Sequence, residues 1–280
     1  MKKIMLSLTA LAMLAACSDN DNPTPEPPQD VWYLSGYDSK FSDEQDTSFI
    51  RIFYNADSTV KEVKDWYKND MDTFYSYMTY QGGKLSEINE KDGGDPVELR
   101  NSYDYKNGVL SKVKNWSYNT PTSAEIHSYD TLYYNAAGKV IEMHSIYNIQ
   151  PEYNNKKYIL TWTGGNVTKV EMYRISNGNF ILDETEVYTY GDRPNYFSNS
   201  LKDEYVWKSD NISFEHLSAN NVTKVEMTEA GTTFRKVRTV TYTYNERNAL
   251  ATMSNLMESF SGTTLNSSYT AGLVFKYAKK

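Results

Sequence analysis

The sequence predicts an all-β protein: a large antiparallel meander of about 16 strands in repeated hairpins, curled into a barrel, a half-barrel or a shell. Tyrosine supplies 25 of the 280 residues and aromatic residues make up 14%, a composition that favours strands. A hairpin-like motif returns about every 27 residues. The stretch before each turn alternates apolar and polar side chains, which is the pattern of a strand with one buried face.

The first 16 residues are predicted to be a lipoprotein signal peptide. Lys2 and Lys3 form a positive region, and residues 4–16 form an apolar stretch too short to span a bilayer. This stretch ends in Leu-Ala-Ala before Cys17, which resembles the bacterial lipobox and implies cleavage before Cys17 and lipid attachment to its thiol. An ordinary signal peptide is the alternative, but Cys17 is the only cysteine of the chain and the lipobox explains its position.

Residues 17–30 are predicted to be a disordered, acidic and proline-rich tether, and residues 31–280 a single repeat-built β domain. The tether holds four of the eight prolines and almost no apolar side chain. Its acidic Ser-Asp run also resembles the surface-export signal of Bacteroidetes lipoproteins, with a generic solvated linker as the alternative. The sequence therefore predicts attachment to the outer membrane through lipid on Cys17, with display at the cell surface.

The repeat is aligned on an aromatic residue before a turn, which we call the anchor. Five or six residues after most anchors comes an apolar residue, and three residues further comes a second one. Turn formers such as Gly82-Gly83 and Asn107-Gly108 lie between them and supply the positive φ that tight hairpins need. The alignment gives eight units, with Leu217 replacing an aromatic anchor in one of them. The anchors are Tyr54, Tyr80, Tyr105, Tyr134, Trp162, Tyr190, Leu217 and Tyr244.

Each unit is predicted to be two antiparallel strands joined by a tight turn. Before the turn, as in residues 240–244, apolar and aromatic side chains alternate with threonines. After the turn, the spacing of three between Leu110 and Val113 would place them on opposite faces of a regular strand. A β-bulge, early packing of the first residue or a short helix would each resolve this, and the β-branched residues disfavour the helix. Because strands twist, so wide a sheet curls, with its apolar face inside.

The motif Y-x-Y-N-x-x-G-x-L/V-x-x-V/I resembles two known groups. The broader is the tyrosine-aspartate (Rhs-type) repeat, whose strands spiral into a shell. The closer is a family of Bacteroidetes surface lipoproteins with a porin-like β fold and no established activity. The matching stretches include residues 133–140 and 188–195 and together cover about residues 50–277, although Asn248 stands where glycine is usual. The resemblance implies architecture and location, and it transfers no catalytic residue.

The end of the chain disfavours a barrel that spans the membrane. Such barrels present an apolar band to lipid and usually end in an aromatic residue, whereas this chain ends in Phe275-Lys276-Tyr277-Ala278-Lys279-Lys280. A lipid anchor on a long tether would also be redundant on an integral barrel. The sequence therefore favours a soluble domain attached to the membrane by its lipid.

Charge and motif content exclude several classes of function. The formal net charge of −7 disfavours a nucleic-acid partner. His127, His144 and His216 have no second histidine or cysteine at ligand spacing, so no metal site is expected. Acidic clusters such as residues 183–186 are interpreted as solvated loops, and no nucleophile or phosphate-loop motif appears. We therefore expect no cofactor, no catalytic residue and no enzyme activity.

Longer connections are predicted along the sheet edge opposite the tight turns, at residues 117–125, 148–157 and 192–204. They carry or flank aromatic side chains, which offer rigid contact area to a sugar or a peptide. The alternative is that these aromatics cap the ends of the core. The candidate ligand-binding residues are Trp116, Tyr118, Tyr147, Tyr153, Tyr196 and Phe197.

The resulting hypothesis is a non-enzymatic cell-surface lipoprotein that binds a glycan or a protein partner. A structural envelope component of an outer-membrane complex is the first alternative. A glycan hydrolase is the third hypothesis, and it would need carboxylates from two units to converge in one pocket.

Overall fold

The computed structural model describes residues 32–41, 47–69, 72–120, 123–148, 155–195 and 213–279. Over these ranges the chain forms sixteen strands and one short 3₁₀ helix, Phe214–Leu217. The predicted signal peptide, the lipidation site Cys17 and the tether at 17–30 lie outside the described residues. The part of the chain that is described contains no helix with the length and apolar character needed to cross a bilayer.

The strands are β1 Trp32–Phe41, β2 Thr47–Tyr54, β3 Val60–Tyr67, β4 Thr73–Gln81, β5 Lys84–Asp92, β6 Glu98–Lys106, β7 Val109–Thr120, β8 Ser123–Tyr134, β9 Val140–Tyr147, β10 Lys156–Thr163, β11 Asn166–Ser176, β12 Asn179–Pro194, β13 Asn220–Glu229, β14 Phe234–Tyr244, β15 Leu250–Ser261 and β16 Thr264–Lys279.

The sheet closes into a barrel. Each strand pairs antiparallel with its neighbours in sequence, and β1 also pairs with β16, with Tyr37 opposite Phe275. Closure pairs the backbone groups of the first and last strands, which would otherwise form two open edges. The predicted sixteen-stranded all-β meander is confirmed, and of the three shapes left open by the sequence the closed barrel is the one that forms.

Of the three alternatives that the sequence leaves open for the segment after the turn, the β-bulge is the one present. In the hairpin of β6 and β7, Tyr105 pairs with Leu110, whereas Asp104 pairs with Lys112, so one residue of β7 is skipped. The skipped residue lets Leu110 and Val113 turn to the same side, and both are buried. The same register shift follows the anchors of β2, β4, β8, β10 and β14. The spacing of three is thus the sequence mark of a bulge.

The assignment of Leu217 as an anchor is wrong. Leu217 lies in the 3₁₀ helix, and Tyr190 of β12 pairs directly with Val222 of β13. Among the described strands, seven pairs are therefore built on anchors, and the eighth pair is formed by β1 and β16. Leu217 has an apolar side chain at the repeat spacing because its segment packs against the core, not because it ends a strand.

The predicted division into an edge of tight turns and an edge of long connections is also wrong. We call the end of the barrel that holds the anchors the anchor end. The opposite end carries two-residue turns such as Asn177-Gly178 and Gly262-Thr263, and most of residues 117–125 are strand. The connection between β12 and β13 leaves from the anchor end, where Asn195 N–H donates to the carbonyl of Ala219 at 2.8 Å. Loop length therefore does not follow the edge of the sheet.

The two walls of the barrel differ in chemistry. Side chains that face the lumen are mainly apolar, and Ile88, Val113 and Val167 are fully buried. The outer wall carries ion pairs within its strands, among them Lys64–Glu62 and Lys224–Glu226. A barrel that spans a membrane has the reverse arrangement, with apolar side chains toward lipid. The outer wall therefore carries charged pairs together with exposed apolar side chains such as Val187 and Leu256.

Candidate functional site

The anchors form a ring of aromatic side chains around the anchor end. The polar tip of an anchor donates to a backbone carbonyl of the preceding hairpin, which explains why the repeat needs tyrosine or tryptophan rather than phenylalanine. Tyr134 Oη donates to Leu110 O at 2.6 Å and Trp162 Nε1 to Val140 O at 2.7 Å. Tyr54 makes the equivalent bond to Leu34 in β1 at 2.8 Å. In these three units the anchor thereby attaches its hairpin to the strands before it.

Four consecutive anchors line a cavity of about 670 Å³, which we call the aromatic pocket. Its aromatic residues are these anchors, Tyr80, Tyr105, Tyr134 and Trp162, together with Tyr103. Glycines of the tight turns and residues 217–219 complete the wall, and Lys84 and Lys139 contribute their side chains. The volume falls in the range of small-molecule sites. The pocket exists because the repeat places the same aromatic position side by side in neighbouring hairpins.

The two lysines lie over aromatic rings of the pocket. Lys84 Nζ is 4.9 Å from the ring centre of Tyr105, and Lys139 Nζ is 4.8 Å from that of Trp162. Each also donates to a carbonyl of the following tight turn, Lys84 to Gly108 at 2.5 Å and Lys139 to Gly164. These contacts hold both ammonium groups at the pocket wall.

Residues 213–219, which we call the inserted segment, lie inside the barrel. Phe214 packs against Tyr158 with ring centres 5.2 Å apart, and Glu215 forms an ion pair with Arg238 of β14. Ser218 Oγ donates to Tyr190 Oη at 2.8 Å. The end of this segment lines the aromatic pocket and its beginning lines a second cavity, so it separates the two.

The second cavity, which we call the lumen cavity, has a volume of about 470 Å³ and is lined by inward side chains of β10 to β15. Glu184 and Glu186 of β12 face it, together with Lys236 and Arg238. Burial and repulsion by Glu186 raise the pKa of Glu184. The interpretation of residues 183–186 as a solvated loop is therefore wrong, because Glu184 and Glu186 alternate with outward residues along a strand.

A chain of buried polar side chains crosses the inner wall from β6 to β9. Asn101 Nδ2 donates to Asn115 Oδ1 at 2.7 Å, and Asn115 Nδ2 donates to Ser128 Oγ at 3.0 Å. Ser145 donates to Asp130, and burial raises the pKa of Asp130 to about 6. These mutual hydrogen bonds satisfy polar groups that are removed from water.

The aromatic residues predicted as a ligand site do not form one cluster. Trp116 and Tyr118 lie on β7, where Trp116 donates to Ser102 Oγ at 3.0 Å and Tyr118 accepts from Leu99 N–H at 2.9 Å. Tyr147 ends β9 and contacts His127 edge-on at 5.7 Å. Tyr153, Tyr196 and Phe197 lie outside the described residues. Ligand binding by these six residues stays a prediction.

Four of the aromatic residues that line the aromatic pocket are the anchors that the repeat alignment identifies. Their spacing shows that they repeat, and the alternation shows that they face inward, so they read as core residues. That they also line an open cavity depends on how the turns of four hairpins converge, for which the sequence carries no local signal.

Solved structures of similar fold are porin-like proteins. The chain is 11% identical to a porin-like protein from Bacteroides uniformis ATCC 8492, with 88% of this chain and 96% of that one covered and a TM-score of 0.55. It is 9% identical to a porin-like protein from Bacteroides vulgatus ATCC 8482, with coverage of 89% and 99% and a TM-score of 0.47. The first similarity shows that the two proteins share a fold, and it shows nothing about function. The TM-score of the second is too low to support a further argument. No family model matches the chain, and no curated protein is significantly similar to it.

Proposed function

We propose that this protein is a non-enzymatic cell-surface lipoprotein that binds a glycan in the aromatic pocket. The observation that carries the proposal is the pocket itself, where four aromatic side chains from consecutive hairpins line one cavity. Aromatic faces pack against the apolar faces of sugar rings, and nearby polar groups bind the hydroxyls. A pocket built from a repeated position offers the same contact several times, which suits a ligand that is itself a chain of similar units.

The proposed attachment is a lipid on Cys17 in the outer membrane. The chain enters the barrel at the anchor end, where the Arg247 guanidinium lies 4.1 Å from the ring centre of Trp32. The fifteen residues from Cys17 to Val31 span at most about 50 Å when extended. The aromatic pocket would thus lie on the side of the barrel nearest the lipid, within reach of envelope glycans.

The water-facing outer wall supports this attachment. Ion pairs such as Lys114–Asp104, with 2.8 Å between Lys114 Nζ and Asp104 Oδ2, would meet hydrocarbon in a spanning barrel. An arginine or lysine at the bilayer midplane costs about 2–4 kcal/mol. A lipid tether lets such a barrel stay at the membrane without entering it.

The proposal is tested by screening the full chain on a glycan array, followed by calorimetric titration of the hits. We expect Trp162→Ala to weaken binding at least tenfold and Trp116→Ala, a matched change on the outer wall, to leave it unchanged. Thermal unfolding of both variants verifies that they fold. Absence of any hit, or loss of binding in Trp116→Ala alone, would overturn the proposal.

A structural envelope component is the second candidate, and one observation favours it. The hairpin of β11 and β12 exposes Phe180, Ile181 and Leu182 in a row at the opposite end of the barrel, on both faces of the strand. Exposed apolar clusters mark contacts with other proteins. A partner that co-purifies with the full chain and is lost in Ile181→Asp would favour this candidate over glycan binding.

The hydrolase hypothesis keeps one structural argument. Glu184 and Glu186 of β12 and Glu215 of the inserted segment line the same lumen cavity. Paired carboxylates with separated pKa values serve as acid and base in glycoside hydrolysis. Release of reducing sugar from array hits, abolished by Glu184→Gln, would replace the non-enzymatic proposal.

A further inference from the structure

The aromatic pocket differs in charge from the protein as a whole. The chain carries a formal net charge of −7, yet among the described residues that line this cavity the charged ones are Lys84 and Lys139, and none is acidic. Neither lysine forms an ion pair with a described residue, although ion pairs are frequent elsewhere on the barrel. Two cations with no carboxylate beside them in the described lining make this wall of the cavity a favourable position for an anion.

The two lysines occupy the same position in two repeat units. Each directly precedes the first apolar residue of its unit, Leu85 or Val140. Thr59, Val109 and Asn166 hold the same position in the other three units that contribute residues to the pocket. The repeat therefore does not require lysine at this position. Each lysine donates to a carbonyl of the next turn, and its charge also allows it to bind an anion.

The positions of the lysine donors favour a ligand at the wall of the pocket. Each ammonium group donates one hydrogen bond to a glycine carbonyl and has three donors in all. The remaining donors are free to bind an anion. Both residues are partly exposed, and the hydrogen bonds of both ammonium groups are open to solvent, so an anion in solution can reach them.

The distance between Lys84 and Lys139 limits which anions can bind both lysines at once. Lys84 begins β5 and Lys139 precedes β9, so four strand steps of about 4.8 Å each, or about 19 Å of barrel wall, lie between them. One carboxylate cannot reach both. Two acidic groups at different places along a chain can, while sugar rings between them meet Tyr105 and Tyr134.

We propose that the aromatic pocket binds an acidic oligosaccharide, with Lys84 and Lys139 each binding a separate acidic group and the anchors packing against the sugar rings. This inference rests on the proposed glycan-binding function and names its ligand class. The ligand carries carboxylates or sulfates spaced along the chain, and its affinity for the pocket falls with rising salt, because exposed charge pairs are screened.

The inference is tested by calorimetric titration of the full chain with a galacturonic acid tetramer. The matched neutral ligand is the same tetramer with its carboxylates methyl-esterified, and the matched short ligand is the monomer. We expect the acidic tetramer to bind at least tenfold more tightly than either, because only it engages both lysines at once. A sulfated oligosaccharide of equal length shows which acidic group is preferred.

Three variants distinguish binding by Lys84 and Lys139 from a nonspecific effect of removing one positive charge. Lys84→Met and Lys139→Met keep the length of the side chain and are expected to weaken acidic-tetramer binding at least fivefold each, without change for the esterified tetramer. Lys112→Met is the control, since Lys112 Nζ lies 4.2 Å from the ring centre of Tyr129 on the outer wall. Equal affinity for the acidic and esterified tetramers would overturn the inference and leave glycan binding intact. Failure of every glycan would overturn both.

Discussion

Two buried ionisable side chains respond to pH in opposite directions. Burial raises the pKa of Asp130 to about 6, and burial lowers the pKa of His216 in the inserted segment to about 4. Both changes favour the neutral form, which is the form that a low-dielectric lumen tolerates. Asp130 keeps hydrogen bonds from Ser145 and Asn115, so its cost of burial is offset in part. These residues make the stability of the barrel depend on pH between about 4 and 6.5.

We predict that single substitutions of Asp130 and of His216 change the pH dependence of the free energy of unfolding in opposite directions. The contribution of Asp130 is present at acidic pH and is lost as pH rises through 6, whereas that of His216 is present above 6.5 and is lost as pH falls through 4. Each pKa change of about two units is worth about 3 kcal/mol. The quantity compared is the change in the free energy of unfolding between pH 7 and pH 4. For Asp130→Asn this change should be less favourable than for the wild type, because the variant lacks the gain from protonating Asp130. For His216→Asn it should be more favourable, because the variant lacks the loss from His216. Urea unfolding at four pH values measures both, and identical profiles for the two variants would contradict the prediction.

The hairpin is the element on which the barrel is built, and the anchor joins one hairpin to the next. Ladder hydrogen bonds and bulges form within each pair of strands, but the bond from Tyr134 Oη to Leu110 O crosses from one hairpin to another. The same bond recurs from Tyr190 to Val167. The inserted segment uses this system too, because Ser218 donates to the hydroxyl of Tyr190. The repeat therefore reproduces the anchor hydrogen bond between hairpins as well as the hairpin itself.

Tyr134→Phe should remove that contact without changing the shape of the core. We expect a loss of about 1 kcal/mol in the free energy of unfolding, the usual net value of a hydrogen bond. Tyr133→Phe is a matched control on the neighbouring residue, whose exposed side chain makes no hydroxyl hydrogen bond to a described residue. Urea unfolding of the two variants gives the comparison. Equal effects of the two substitutions would show that the anchor hydroxyl does not matter.

At the scale of the whole molecule, the barrel shares its strand topology with a porin-like protein and carries charged pairs on its outer wall. The lumen holds apolar side chains together with polar ones such as Asp130 and Glu184, and the inserted segment lies between two cavities. The outer wall carries charged pairs and aromatic side chains such as Trp66, which stacks on Phe49 at 5.4 Å beneath the Arg51 guanidinium. The same strand topology is thus combined here with an outer wall that carries charged side chains.

Tryptophan fluorescence distinguishes a barrel that stays outside the bilayer from a barrel that is inserted in it. In vesicles of brominated phosphatidylcholine, we expect the full chain to show no quenching of Trp66 and Trp116 on the outer wall, because they face water rather than acyl chains. Ser18→Trp, beside the predicted lipid on Cys17, provides a tryptophan close to the bilayer as a positive control. Strong quenching of the wild-type chain would show that the barrel enters the membrane.

Several features of the fold follow from short stretches of sequence. The period of about 27 residues and the alternation before each turn predict the strands, and the spacing of Leu110 and Val113 marks the bulge. The aromatic pocket was not predicted, because its residues are indistinguishable from core in a single hairpin. The predicted ligand-binding aromatics, such as Trp116, depend on a predicted long loop that is absent here, because β7 and β8 continue nearly to their turn.

By itself, the sequence determined that this protein is a tandem array of β-hairpins and which side of each strand is buried. These properties depend on neighbours a few residues apart, and turn chemistry and alternation encode them directly. Only the tertiary structure decided that β1 meets β16, that residues 213–219 lie inside the lumen, and that four anchors enclose a pocket with two lysines. A half-barrel, a shell and a closed barrel share the same local pattern. The choice among them depends on contacts between residues that are distant in sequence.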